Sequence, residues 1–313
     1  MATKTTGRTK TKRPPNVAEI ISAIEKRRFT GPDYVFAPAL PRGWPSQHAI
    51  DDFVVAHFDS DGRAARQFDK ILREQTADIA ELSDKLNSKA LAASRGRRAR
   101  LRKELRDRIA LLPPDPYKRH FIDKPFLIST DAGLNANYEK ASYGSWVKFD
   151  IEVTTAINAY VFLYYLWTND SDQAVAVNID GYLVADGWIE LRSDGGFWPG
   201  DRRAEATLTA AMFPMEWWNQ PATFPLVQEG QVQPALTMAV SSGGLAAGGG
   251  FDAQALFRGF DLQYRQLSVP AYGSLVILLE FVVTAGASHG KAKIDFQSQD
   301  RDVVSPGVLI SVM

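Results

Sequence analysis

The sequence predicts a mainly β protein: an antiparallel two-layer β-sandwich, jelly-roll-like, preceded by an N-terminal helical, coiled-coil-like arm. Three observations predict it. From Phe121 onward, apolar residues recur with period two. Two runs, Tyr160–Trp167 and Leu275–Val283, are almost wholly apolar, as expected of central strands covered on both faces. Before Pro113 the apolar spacing is instead three and four, the helical repeat.

The strands follow in order. In Trp146–Thr154, Val147, Phe149, Ile151 and Val153 alternate with Lys148, Asp150 and Glu152, which makes a strand with one wet face. Tyr160–Arg192 reads as a meander of three strands. Asn169–Asp172 forms one turn, and Asp180-Gly181 and Asp186-Gly187 offer cheap positive φ for others. Ala206, Leu208, Ala210 and Met212 share one side of a later strand. Phe260, Leu262 and Tyr264 mark another, and Ala292, Ile294 and Phe296 a further one. Val303-Val304 and Val308–Val312 flank Pro306-Gly307 and read as a last edge strand. At least eight short strands in about 190 residues point to a sandwich. Long connections at 213–231 and 241–250 interrupt it.

Residues 1–15 form a basic tail with almost nothing to bury. Residues 16–112 are the helical arm region, 113–120 a proline-rich boundary, and 121–313 the sandwich domain. Asn16 caps a short helix through Arg28, with Ile20, Ile21 and Ile24 on one face. Phe68, Leu72, Ile79, Leu82 and Leu86 form a second stripe, with Gln75 as its polar interruption. Leu101, Leu105, Ile109 and Leu112 continue it in shifted phase after a break over Asn87–Gly96. Pro113, Pro114 and Pro116 stop the arm.

The net charge is zero, but unevenly made. Residues 1–120 hold 25 Lys and Arg against 15 Asp and Glu, which leaves 11 basic and 21 acidic residues in 121–313. Such a division suggests a basic interaction region joined to an acidic body. The basic charge peaks in Arg95, Arg97, Arg98, Arg100, Arg102, Lys103, Arg106 and Arg108. This helix suits nucleic acid or another polyanion, or docking on the acidic body. No aromatic residue interleaves it, so base stacking is not supported.

Catalytic and metal motifs fail inspection. The chain has no cysteine, which excludes disulfides, thiolate metal sites and a Cys nucleophile. His48 and His57 lie near Asp51, Asp52, Asp59 and Asp61, in no spacing that a metal or acid–base site requires. Gly243–Gly250 lacks the Lys-Ser/Thr of a phosphate-binding loop. Asn169–Asp172 lacks the glycine and distal glutamate of a calcium loop. Asp51 with Asp52, and Asp300 with Asp302, are carboxylate pairs that nothing in the spacing sets across a cleft. No catalytic residue, metal or cofactor is indicated.

Aromatic residues are more suggestive. Trp198, Trp217, Trp218 and Tyr272 fall at connections or strand ends. There they either stack on sugars, meet a membrane interface or form a subunit contact, or they plug the ends of the core. The reading this favours is a non-enzymatic binding and self-assembly protein, structural or coat-like, forming a homo-oligomer. One alternative is a membrane-acting, toxin-like protein that uses the arm and loop aromatics. Another is a carbohydrate-binding or hydrolytic sandwich with a loop-formed site. With no secretory signal or transmembrane segment apparent, a cytoplasmic location is the default expectation.

Overall fold

Alternation along the strands sorts the chain into two antiparallel sheets, each with one face turned to a shared core. The computed structural model describes residues 17–26, 66, 70, 73–74, 77–90, 103, 118–131, 134–195, 202–216, 226–227, 230–242 and 249–313. The strands are β1 (Lys118–Ile122), β2 (Leu127–Thr130), β3 (Ala136–Glu139), β4 (Ser145–Val153), β5 (Ile157–Thr168), β6 (Val175–Ser193) and β7 (Arg202–Glu216). They continue with β8 (Leu226–Val227), β9 (Gln231–Ser242), β10 (Gly250–Val269), β11 (Ser274–Ser288), β12 (Gly290–Asp295) and β13 (Asp302–Val312). The seven-stranded sheet has the order β1-β13-β4-β12-β6-β10, with β3 beside β4 and a further β13–β6 pairing. The six-stranded sheet has the order β2-β5-β11-β7-β8, with β9 also on β7.

The core lies between them. Val147, Phe149 and Ile151 of β4 and Ile179, Leu183, Ile189 and Leu191 of β6 meet Val161, Leu163 and Tyr165 of β5 and Ile277, Leu279 and Phe281 of β11. Phe296 sits at its centre, 5.0 Å from Phe149 and edge-on to Phe281 at 5.4 Å. One polar relay crosses the core: the Tyr165 hydroxyl donates to Ser305 Oγ at 2.6 Å, which donates to the Tyr182 carbonyl at 2.9 Å. Burial pushes the Tyr165 phenol well above its ordinary range, so it stays a donor.

The run Tyr160–Trp167 is apolar throughout because β5 is covered twice. Its alternate residues Tyr160, Phe162 and Tyr164 point to the outer face of the six-stranded sheet, beside Val276, Leu278 and Val282 of β11 and Ala211, Phe213 and Met215 of β7. The helix α1 (Val17–Lys26) places Ile20 among them, fully buried. The expected apolar face of this helix is thus used at Ile20, with Ile21 half-buried.

The expected meander is not formed. β6 runs unbroken for 19 residues through both Asp-Gly pairs. Its glycines serve close approach instead of turns. A Cβ at Gly181 would lie 2.5 Å from Leu279 Cδ2 and 3.0 Å from Met212 Sδ, and one at Gly187 would meet the Phe296 ring. The turn at Asn169 does form: its Oδ1 accepts from Ser171 N and Oγ, and its Nδ2 donates to the Gln173 and Pro270 carbonyls.

β13 is one strand, and an interior one instead of the expected edge. Its first part pairs β4 and its last part β1, with β6 along the other side. Pro306 falls at the register shift between Val304 and Gly307, where no ladder donor is needed. β7 extends to Glu216, into the expected connection, and β9 forms where no strand was expected. Among the described residues β9 pairs only β7, so Pro234 fits an edge. Its side of the sandwich is tied to β10: Arg258 Nη1 donates to the Ala235 carbonyl at 2.9 Å, and Gln233 Nε2 to the Asp261 carbonyl at 2.9 Å. Residues 77–90 are helical, so the expected break does not begin at Asn87.

Candidate functional site

Charged and polar residues concentrate on the outer face of the seven-stranded sheet. Alternation along β6 sends Ala185, Ile189 and Leu191 inward and leaves Asp186, Trp188, Glu190 and Arg192 on the other face. Register then sets Asp295 opposite Trp188, Lys293 opposite Glu190, and Asp302 of β13 opposite Asp186. Asp186, Trp188, Glu190, Asp295 and Asp302 are all buried, as is Arg301 in the turn before β13.

Arg301 organises this cluster. Its Nη1 donates to Asp295 Oδ2 at 2.8 Å, and its guanidinium lies over the Trp188 ring, 5.7 Å from the centroid. Asp295 Oδ1 accepts from the Gln297 and Ser298 backbone N–H groups at 2.9 and 2.8 Å. Burial works to raise the Asp295 carboxyl, but the Ser298 and Gln297 donors and Arg301 outweigh it and hold it below the usual carboxylate range. Glu190 Oε1 meets Arg192 Nε and Nη2, each at 2.5 Å, and Arg192 in turn lies over Phe251.

Helix 77–90 rests on this surface through polar groups. Ser83 Oγ donates to Glu190 Oε2, and Arg301 Nη2 donates to Asn87 Oδ1. Ser83 and Asn87 are four residues apart and so share one helix face. Ser83 is 4% exposed, whereas Leu82 and Leu86 are 46% and 37% exposed. Of the expected apolar stripe, Leu82 and Leu86 therefore point away from the body and Ile79 is half-buried, while Phe68 and Leu72 lie outside the described residues; within helix 77–90 the polar face is the one that docks.

Chemically, this is a joint. Asp295 is an ionised carboxylate fixed by three donors, and Glu190 is held by Arg192 and Ser83. Among the described residues no group of three His, Asp or Glu side chains is arranged to hold a metal ion. Among them, too, no helix is long and apolar enough to cross a membrane.

Of the interaction residues expected in the basic arm, Lys103 is helical and exposed. Arg95, Arg97, Arg98, Arg100, Arg102 and Arg106 lie outside the described residues, as do Trp198, Trp217 and Trp218, and His48 and His57 with their neighbouring acids. Tyr272 does sit in a turn, at φ 59° and 46% exposed. The residues of the joint were missed, although their signal was present. In Asp186–Arg192, acidic, aromatic and basic residues alternate with Gly187, Ile189 and Leu191, the pattern of a strand with one polar face.

A second exposed feature lies at the β3 edge. Trp146 donates from Nε1 to Glu139 Oε2 at 3.1 Å, and Lys148 Nζ stands 5.6 Å from its ring. Asn137 is paired with Lys148 across the same two strands.

No family model matches the chain, and no curated protein sequence does. Among solved structures, it is similar to a family 11 carbohydrate-binding module from Clostridium thermocellum in complex with a β-1,3-1,4-mixed-linked tetrasaccharide. That match has 10% identity, covers 60% of this chain and 94% of that one, and has a TM-score of 0.18. A carbohydrate-binding module studied for mannan recognition matches at 8% identity over 60% and 97% of the two chains, with a TM-score of 0.17. A structure of infectious bursal disease virus, Gx strain, matches at 10% identity over 64% and 40%, with a TM-score of 0.11. Superposition at this level gives no basis for transferring a ligand or a strand topology.

Proposed function

We propose that the protein is a non-catalytic binding protein that acts by self-association, with the sandwich as its rigid body and the preceding helical segment as its contact element. The observation that supports this is the orientation of helix 77–90, which spends Ser83 and Asn87 on its own body and leaves Leu82 and Leu86 outward. Leu82 and Leu86 are one turn apart on that helix, so they offer adjoining apolar area to a partner. The test is the mass of the full chain by light scattering over a range of protein concentration, at low salt and at about 0.5 M salt. The expected result is a species larger than the monomer that forms with rising concentration. If the charge division between residues 1–120 and 121–313 contributes, that species loosens with salt. A monomer under every condition refutes the reading.

Carbohydrate binding is the second reading, favoured by a separate observation. Trp146 stands half-exposed on the sheet face with Glu139 and Lys148 beside it, an aromatic platform rimmed by hydrogen-bonding groups of the kind sugars use. A glycan array that detects binding, lost in Trp146→Ala, supports it. An array without signal removes it.

A further inference from the structure

We infer that β10 pairs edge to edge with β10 of a second copy of this chain, antiparallel about a two-fold axis at Ala255. The contact is separate from the one proposed above through Leu82 and Leu86. Among the described residues β10 pairs only β6, so it ends the seven-stranded sheet. Its ladder with β6 runs without a shift from Gly250 to Tyr264. Along that ladder the Asp261 carbonyl accepts from Gln233 Nε2 at 2.9 Å, and the Gln263 N–H donates to Gln231 Oε1 at 2.6 Å. Both partners belong to β9, so the odd-numbered residues of β10 turn their backbone groups away from β6. Side chains of β9 thus cap the edge at Asp261 and Gln263. Among the described residues no such cap reaches Phe251, Ala253, Ala255 or Gly259, and Ala255 and Gly259 are exposed. A row of open N–H and C=O groups on an edge strand is a template for another strand.

The residues along the row select the partner. Ala255 is the midpoint of Phe251–Gly259. Pairing this stretch with itself about Ala255 sets Phe251 opposite Gly259 and Asp252 opposite Arg258, each twice over by symmetry. Asp252 and Arg258 lie on the same face of the strand, and both are exposed. Opposite charges directly across two strands attract. Moving the axis one residue either way sets Asp252 against Leu256 or Phe260 and loses both charge pairs. On the other face, a Cβ at Gly259 would meet nothing within 4 Å, which leaves room for the Phe251 ring of the other copy.

The limits of the pairing fit the strand. β10 begins at Gly250, which then stands opposite Phe260, just short of the capped Asp261. Arg258 is already oriented, since its Nη1 donates to the Ala235 carbonyl at 2.9 Å, and Nη2 is left for Asp252 of the other copy. The axis runs perpendicular to the sheet. The two bodies therefore lie side by side with their outer faces on the same side, and the two seven-stranded sheets become continuous.

The experiment uses the absence of cysteine from the chain. Ala255→Cys places one thiol from each copy at the axis, with Cα atoms about 5.5 Å apart in a hydrogen-bonded antiparallel pair, within reach of a disulfide. Ala253→Cys is the control, because position 253 stands opposite Phe257. Each is made in the full chain, with and without Leu82→Glu and Leu86→Glu. Under mild oxidation Ala255→Cys is expected to give a disulfide-linked dimer in both backgrounds, and Ala253→Cys none. By light scattering, Asp252→Arg is expected to lose the dimer that the Leu82→Glu, Leu86→Glu chain retains, with an unchanged melting curve at low concentration. An Ala255→Cys chain that stays unlinked while wild type associates overturns the inference and leaves the contact through the helix. Equal linkage from positions 253 and 255, or a dimer indifferent to Asp252→Arg, overturns the register. A wild type that is monomeric under every condition overturns both readings, and slow hydrogen exchange at the Ala255 amide of that monomer shows that the chain covers its own edge.

Discussion

Replacing Arg301 by Met tests whether the joint between helix and sheet is held by charge. Arg301 is 1% exposed, and its guanidinium makes three contacts: Asp295 at 2.8 Å, the Trp188 ring at 5.7 Å, and Asn87. Met fills most of the volume but leaves the Asp295 carboxylate buried without its cation. Breaking a buried pair from one side costs ~3–5 kcal/mol. The two backbone donors on Oδ1 survive the change, so the lower end of that range is expected. At ~2–4 °C per kcal/mol for a body of this size, the melting temperature should fall by roughly 6–12 °C. Asp295→Asn removes the charge from the other side, and the double variant closes a cycle in which the two losses should not add. The pH dependence gives an independent reading. The folded-state pKa of Asp295 lies below its ordinary value of 3.8. Its stabilising contribution is therefore complete above that value and lost as pH falls through the lower, folded-state one. Asp295→Asn should abolish that part of the acid destabilisation. An unchanged melt in Arg301→Met, or losses that add in the double variant, would refute the argument that the pair is coupled.

Three further outcomes are expected. Gly181→Ala and Gly187→Ala should each lower stability by ~1–3 kcal/mol in denaturant titration, because the new methyl overlaps Leu279 or Phe296; equal stability in both would show that β6 tolerates a side chain there. Ile20→Ala should cost ~2–5 kcal/mol by thermal melting, since Ile20 is fully buried on the six-stranded sheet; no change would mean that α1 contributes nothing to the fold. Residues 117–313 alone should keep a cooperative β-type melt, but at a lower temperature and with binding of a hydrophobic dye, because Tyr160, Phe162 and Phe213 lose the cover of Ile20; a melt and dye response equal to the full chain would show that α1 covers nothing of consequence.

What could be read in the sequence, and what could not, divides along a physical line. β4, β5 and β11 were legible because a strand reports its environment with period two: β4 alternates, while β5 and β11 are apolar on both faces because α1 and the sandwich core lie on either side. The two Asp-Gly pairs misled because a glycine has two uses. Nothing local separates positive φ in a turn from the absence of a Cβ under Leu279 or Phe296, residues about a hundred positions away. Pro306 misled likewise: the register shift that accommodates it depends on β6 and β4, not on its neighbours. β10 was seen only at Phe260–Arg265, since over its earlier half Ala253, Ala255, Phe257 and Gly259 on one side offer no polar contrast to Gln254, Leu256 and Arg258 on the other.

The helix reverses the usual inference. Its leucines mark a stripe, and a stripe on a helix beside a globular body is ordinarily the face that docks. Here docking falls to Ser83 and Asn87 because the sheet face they meet is already polar, with Glu190 and Arg301 needing partners once covered. Leucine laid over them would have left Glu190 Oε2 and Arg301 Nη2 without the partners that Ser83 and Asn87 supply, at a cost of ~1–3 kcal/mol each. Serine and asparagine remove that cost, and the leucines are turned outward as a consequence. The apolar spacing of the helix was thus legible, but its direction was set by the polar face of β6, which only the register of β6 with β12 and β13 brings together.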